Sequence, residues 1–288
     1  MRFPIYKFKW WHFIIITVFI ILLLPQCASI HMSDQKINEY FKNAKQKPIF
    51  HNYTEHSRNM HFASIGADTL PMVIFIHGSP GSWDAFISFF NDSSVIDRAK
   101  IISVDRPGFG KSGYGKVEIS LKEQAALLMP ILKKNKSKKL PLLIGHSLGG
   151  PVVCRIAMDY PNLVGEMVLV APSIDPSLEK YEWYRDVGNF FLFRPLLPKE
   201  LDVSNREILA LKKELINMLP YWQSIRIPTT VIQGEKDDLV APQNAAFAKK
   251  MLVNAPVHIQ MIPKMNHFIP WSRPDLIQHA ILEYLNHK

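Results

Sequence analysis

Cysteine is almost missing from this chain: Cys27 and Cys154 are the two among 288 residues, so a disulfide framework is excluded. Zinc-finger spacing, an RNA-recognition signature, a dinucleotide-binding glycine fingerprint and internal repeats are all absent. No metal site and no organic cofactor are therefore expected. Charged residues make up 20% of the chain and hydrophobic ones 48%, which leaves little room for disorder away from the ends. The net charge is +9, but the basic residues are spread out, and the one dense run, Lys133 to Lys139, reads as a solvated loop between a helix and a strand. Nucleic acid is not an expected partner. Attraction to anionic lipid is a better use of this charge.

What is present begins with a membrane signal. Arg2, Lys7 and Lys9 precede an unbroken apolar run from Phe13 to Leu24, which ends at Pro25. Twelve helical residues reach about 18 Å against a hydrocarbon core of about 30 Å, so the run alone is too short to span a bilayer and has signal-peptide proportions. Leu24-Pro25-Gln26-Cys27 resembles a bacterial lipobox, which makes Cys27 a lipidation candidate, with Gln26 departing from the small residue usual before that cysteine. Counted from Trp10 to Ile30, 21 residues give about 31 Å, enough for an uncleaved single anchor. Either way residues 1–30 form a signal or anchor segment. The protein is expected to be exported and held at a membrane, with its folded part outside the cytoplasm. Residues 31–48 are polar and read as a tether leading into one domain, residues 49–288.

Within that domain short apolar runs alternate with helical patterns. Ile49 to Ile65 supplies two antiparallel strands, and further strands are expected at Met72–Ile76, Lys100–Val104, the apolar run Pro141–Ile144, Glu166–Val170, Pro228–Gln233 and Pro256–Ile262. Between them lie a helix with Trp83, Phe86, Ile87 and Phe90 on one face and Ser82 as N-cap, and a helix capped by Ser120 and Glu123 that Pro130 should kink. A final helix places Ile277, Ala280, Ile281 and Tyr284 at core spacing. The class is α/β, a mostly parallel, doubly wound sheet covered on both faces, whose ligands collect at the carboxyl ends of the strands. Residues 173–224 interrupt the alternation with six aromatics between Tyr181 and Phe193 and a helical stretch from Asn205 to Leu219. This is a partly helical insertion between two sheet strands, the size of a small lid. Its aromatics should either line an apolar cleft or pack the lid onto the core.

The chemistry gathers at Pro141 to Val153, where apolar residues run into Gly145-His146-Ser147-Leu148-Gly149 and a helical pattern follows at once. That is the strand, sharp turn and helix of a nucleophile elbow, with glycines where a Cβ would strike the neighbouring strand or helix. A serine hydroxyl is a weak nucleophile and needs a base, a carboxylate to orient the base, and N–H donors for the developing oxyanion. Gly234-Glu235-Lys236-Asp237-Asp238 follows one late strand, and Asn266-His267-Phe268 follows the other. The order Ser147, Asp237, His267 suits this architecture.

These segments, with His77-Gly78-Ser79-Pro80 and Asp105-Arg106-Pro107-Gly108-Phe109-Gly110-Lys111-Ser112, resemble the α/β-hydrolase superfamily over roughly residues 49 to 286. The resemblance implies the α/β-hydrolase fold with a helical cap insertion at about 173–224, Asp237 as the triad acid, His267 as the base, and the backbone N–H groups of Ser79 and Leu148 as oxyanion donors. Asp238, Glu235 and Asp175 compete for the acid role. His77 and His146 read as residues that orient loops, the Ser79 hydroxyl as idle, and Asp105 with Arg106 as a salt link that stabilises their turn. A serine at the elbow argues against dehalogenase or epoxide-hydrolase chemistry, for which this family uses an aspartate. Cleavage of a carboxylic ester with an apolar acyl or aryl group, through an acyl-enzyme, is expected. Thioesterase, lactonase, carbon–carbon bond hydrolase and haloperoxidase-like activities share the triad, and a non-catalytic ligand-binding homologue shares the fold. Oligomeric state leaves no trace in the sequence.

Overall fold

The structure, a computed structural model, describes residues 31–287. The expected signal or anchor segment, with Cys27, lies outside them. Among the described residues no helix is long and apolar enough to cross a membrane.

Eight strands form one sheet in the order β1-β2-β4-β3-β5-β6-β7-β8. They are β1 Ile49–Glu55, β2 Arg58–Ile65, β3 Met72–Ile76, β4 Lys100–Asp105, β5 Leu142–His146, β6 Glu166–Val170, β7 Thr229–Gly234 and β8 Val257–Ile262. All neighbours from β4 to β8 pair in parallel, and β2 alone runs against the rest. Strand positions agree with the sequence expectation to within two residues, because central strands buried on both faces are apolar along most of their length. The period of two then divides each strand between two cores. In β3, Ile74 and Ile76 join one core while Val73 and Phe75 join the other.

The first core is closed by the helices Leu121–Leu132, Gly149–Asp159 and Asn244–Met251. The second is closed by the 3-10 segment Trp83–Asn91 and the last helix, Pro274–Asn286, which buries Ile277, Ala280, Ile281 and Tyr284 as its spacing requires. Pro130 stands two residues from the end of its helix, which continues through it to Leu132. Ser120 Oγ accepts from the Glu123 N–H at 3.3 Å, but the Glu123 carboxylate turns to His56 Nδ1 at 2.7 Å, leaving the capping box half formed.

Three local expectations are corrected. Residues 31–48 are no free tether: Asp34–Tyr40 is a helix, N-capped by Ser33, and Ile37 and Phe41 enter the second core. Two apolar side chains in a polar stretch are too few for a periodicity, yet enough to hold it down. Ser82 makes no side-chain cap, because its hydroxyl donates to Asp84 and the Trp83 N–H is taken by Asp105 Oδ1 at 2.8 Å. The insertion at 173–224 is helical, with helices Trp183–Asn189 and Lys199–Met218; Trp222 packs into the first core and Tyr184 lines the cleft beneath, but the other aromatics between Tyr181 and Phe193 face solvent. Trp183 and Phe191 are about 70% exposed, at 69% and 70%, and the shorter helix buries none of its residues.

Candidate active site

The parallel strands deliver their carboxyl-end loops to one rim of the sheet, and there Ser147, Asp237 and His267 line a single cavity of about 1060 Å³ beneath the cap. Ser147 directly follows β5. Its φ of 54° puts a non-glycine residue in the left-handed region, a conformation held by the Ser147 N–H donating to the Val170 carbonyl at 3.0 Å and by the Gly150 N–H donating back to the Ser147 carbonyl at 2.9 Å. The turn is as tight as its glycines imply. A Cβ on Gly149 would lie 2.2 Å from the Ile76 carbonyl oxygen, and one on Gly145 2.5 Å from that of Gly149.

His267 follows β8 and Asp237 follows β7, two strands that are neighbours in the sheet. The His267 Nδ1–H donates to Asp237 Oδ2 at 2.7 Å, with both side chains buried. This bond fixes the tautomer and leaves Nε2 of the neutral ring without a proton. The other oxygen of Asp237 accepts the N–H groups of Leu239 at 3.0 Å and Val240 at 2.8 Å, and Gln233 Nε2 donates to Oδ2 at 3.2 Å. A buried carboxylate is thus surrounded by donors.

The competing acids are placed elsewhere. Asp238 and Glu235 are exposed, since adjacent loop residues point apart, although Asp238 reaches the rim of the cavity. Asp175 accepts from the N–H and hydroxyl of Ser177 at 2.8 and 2.7 Å and so shapes its own turn. Among the described residues no cluster of three or more His, Cys, Asp or Glu could hold a metal ion.

Two other buried histidines, His77 and His146, work on the backbone. His146 donates from Nε2 to the His267 carbonyl at 3.1 Å, and its ring centre lies 4.7 Å from that of His267. Burial first, then the neighbouring His267, lowers its pKa to about 3, so it stays neutral. His77 donates from Nδ1 to the Gly78 carbonyl at 2.7 Å and accepts the Arg106 N–H on Nε2 at 3.0 Å. Burial and then the Arg106 charge bring it to about 3 as well.

Arg106 does not pair with Asp105, as the sequence reading has it. Asp105 instead accepts from His61 Nδ1 at 2.7 Å and from the N–H groups of Trp83 and Lys111, both at 2.8 Å. The fully buried Arg106 guanidinium donates to Glu207 at 2.7 and 3.0 Å, to Gln124 at 2.8 Å, and to the carbonyls of His77 and Gly78 at 2.9 and 3.0 Å. Glu207 stands on the longer cap helix and also accepts the Ser79 hydroxyl at 2.7 Å, so that hydroxyl is not idle. Sequence reasoning passed over Glu207. The one available signal was a carboxylate falling on the buried side of an amphipathic helix, beside Val203 and Leu211.

Ser79 and Leu148 both line the cavity next to Ser147. Their backbone N–H groups therefore belong to the loops that would have to supply an oxyanion hole. The remaining walls are largely apolar, including Leu178, Ile208, Leu211, Val240, Phe268 and Trp271. Of the cap aromatics between Tyr181 and Phe193, Tyr184 lines the cavity.

Comparison with known proteins finds relatives of the same fold. The family described as alpha/beta hydrolase fold matches residues 71–196. A Haemophilus influenzae protein described as an esterase/lipase is 24% identical over 83% of this chain and 96% of its own length. A 2-hydroxy-6-oxononadienedioate/2-hydroxy-6-oxononatrienedioate hydrolase of Pseudomonas sp is 24% identical over 74% of this chain and 87% of its own. Among solved structures, a chain from Acinetobacter baumannii described as a lipase superposes with a TM-score of 0.64 at 20% identity, covering 90% of this chain and 97% of the other.

Proposed function

We propose that the chain is a member of the α/β-hydrolase superfamily and, within it, a serine hydrolase cleaving carboxylic esters of apolar acyl or aryl substrates through an acyl-enzyme, a reading supported by the family match and by its esterase- and lipase-described relatives. One observation carries the reading: an imidazole oriented by a buried carboxylate at 2.7 Å shares a cavity with a serine held at a φ of 54°. In this reading His267 Nε2 takes the Ser147 proton as Oγ forms its bond to the substrate carbonyl carbon. The Asp237 carboxylate stabilises the imidazolium. The carbonyl electrons move onto oxygen, which the N–H groups of Ser79 and Leu148 hold in the tetrahedral state. Collapse breaks the bond to the alkoxide, which leaves with the proton from His267. Water, deprotonated by the same nitrogen, then attacks the acyl carbonyl and frees Ser147.

The substrate class rests on the cavity. At about 1060 Å³ it lies just above the usual range of small-molecule sites, roughly 300 to 1,000 Å³, and its walls are mostly apolar. An acyl or aryl group several carbons long fits better than an acetyl group. A second reading, hydrolysis of a carbon–carbon bond, is favoured by the Pseudomonas relative and uses the same triad. The amino-terminal segment is read as the part that exports the domain and holds it at the membrane.

Labelling by a fluorophosphonate probe, combined with a panel of p-nitrophenyl esters, thioesters and lactones, tests the proposal. Labelling confined to Ser147 and a preference for medium-chain esters are expected. Folded protein that does not label at Ser147 would mark a ligand-binding homologue instead.

A further inference from the structure

The cap presents a broad apolar face to solvent. Trp183 is 69% exposed, Phe191 70% and Leu192 59%, and Tyr181, Phe190 and Phe193 are exposed beside them. Scattered exposed aromatics are ordinary, but a contiguous group of this size marks a contact surface. Along this face Arg185 pairs with Glu182 and Arg194 with Asp202, so the attraction to anionic lipid comes from the net charge of +9 on the whole chain. Tyr and Trp rings mixed with Lys and Arg suit the boundary between lipid headgroups and acyl chains.

A second observation concerns where the chain enters the domain. His31 Nδ1 lies 2.7 Å from Glu200 Oε1, at the start of the longer cap helix. Met32 lines the large cavity, and its N–H donates to Asp84. The apolar run of the sequence ends at Leu24, so at most about 25 Å of extended chain separates it from His31. Residues 31 and 32 themselves lie beside the cap and the cavity.

We propose that the cap face from Tyr181 to Phe193 docks on an anionic phospholipid bilayer, with the cavity opening toward the lipid on which the domain rests. The amino-terminal segment keeps the protein near the membrane, and the aromatic face sets its orientation. A single attachment point would leave the domain free to turn away, whereas a second contact on the same side holds it at high effective concentration. The supply of substrate from that bilayer rests on the hydrolase reading, while the docking itself does not.

The full chain is reconstituted in vesicles of phosphatidylethanolamine and phosphatidylglycerol carrying brominated acyl chains, which quench tryptophan in contact with lipid. Trp183→Phe should remove a clear share of the quenching, and phosphatidylcholine vesicles should quench Trp183 less. Phe191→Glu/Phe193→Glu should lower turnover of an ester packed in anionic vesicles by about tenfold or more and leave a soluble short-chain ester untouched. Quenching that is the same with and without Trp183 overturns the docking. So does a loss of self-association in the double variant, measured by light scattering in detergent, with no change in quenching, because a second copy would then cover the face. Quenching at Trp183 without turnover of any soluble ester keeps the docking and removes the hydrolase reading.

Discussion

Glu207 of the cap meets Arg106 of the sheet rim through two hydrogen bonds, 2.7 and 3.0 Å long, with neither side chain reaching solvent. The same carboxylate takes the Ser79 hydroxyl, and the same guanidinium holds the His77 and Gly78 carbonyls. The cap is thereby joined to the loop that carries one proposed oxyanion donor. Glu207→Ala leaves a buried guanidinium without its counter-charge and should cost about 3 to 5 kcal/mol of stability, measured by urea unfolding. Glu207→Gln keeps the shape and should lower kcat more than it raises KM, since the Ser79 amide loses its support. A variant with normal stability and unchanged kcat would show that the pair serves packing alone.

The triad residues differ in how much each should cost. Ser147→Ala should abolish ester turnover to within a few orders of magnitude of the uncatalysed rate, and Asp237→Asn should lower kcat by roughly 10⁴-fold through the wrong imidazole tautomer. Asp238→Asn should stay within about threefold of the parent, because that exposed side chain has no part in the His267 hydrogen bond. Steady-state kinetics on one p-nitrophenyl ester suffices. An Asp238 effect equal to that of Asp237 would reverse the assignment of the acid.

Acid should weaken the fold through His77 and His146. Both are lowered to about 3 by burial, so between about 6.5 and 3 the unfolded chain binds their protons and the folded one does not. Stability therefore rises with pH across that window, by up to roughly 3 kcal/mol per unit for the two together at its centre, and levels off above 7. Urea midpoints at pH 7 and pH 5 measure the slope. His146→Asn should flatten it by about half, and an unchanged slope would place the acid sensitivity elsewhere.

Two glycines should respond in opposite directions. Gly149→Ala drives a Cβ to 2.2 Å from the Ile76 carbonyl oxygen and should prevent stable folding or cost more than about 3 kcal/mol. Gly188, inside a cap helix, would meet its nearest atoms at 3.5 Å, so Gly188→Ala should gain about 0.5 to 1 kcal/mol. Thermal unfolding of the two proteins gives the comparison directly.

The sequence by itself determined the sheet and the loops at its rim. Buried strands such as Val73 to Ile76 and Leu142 to Ile144 are apolar throughout, and the spacing around Ser147 leaves one way to turn from strand to helix. These signals are local, so they survive without coordinates. Tertiary structure decided what depends on direction and on distant partners. Asp237 and Asp238 are neighbours of one type, and only the path of their loop turns one inward and the other to solvent. Arg106 found Glu207 at a separation of 101 residues, rather than the Asp105 beside it, because the cap folds back over the β4 loop. Most cap aromatics between Tyr181 and Phe193 face outward and the segment after residue 31 packs inward, against what their compositions suggest. Hydrophobicity states that a side chain would benefit from cover, but the arrangement of the other elements decides whether cover is within reach.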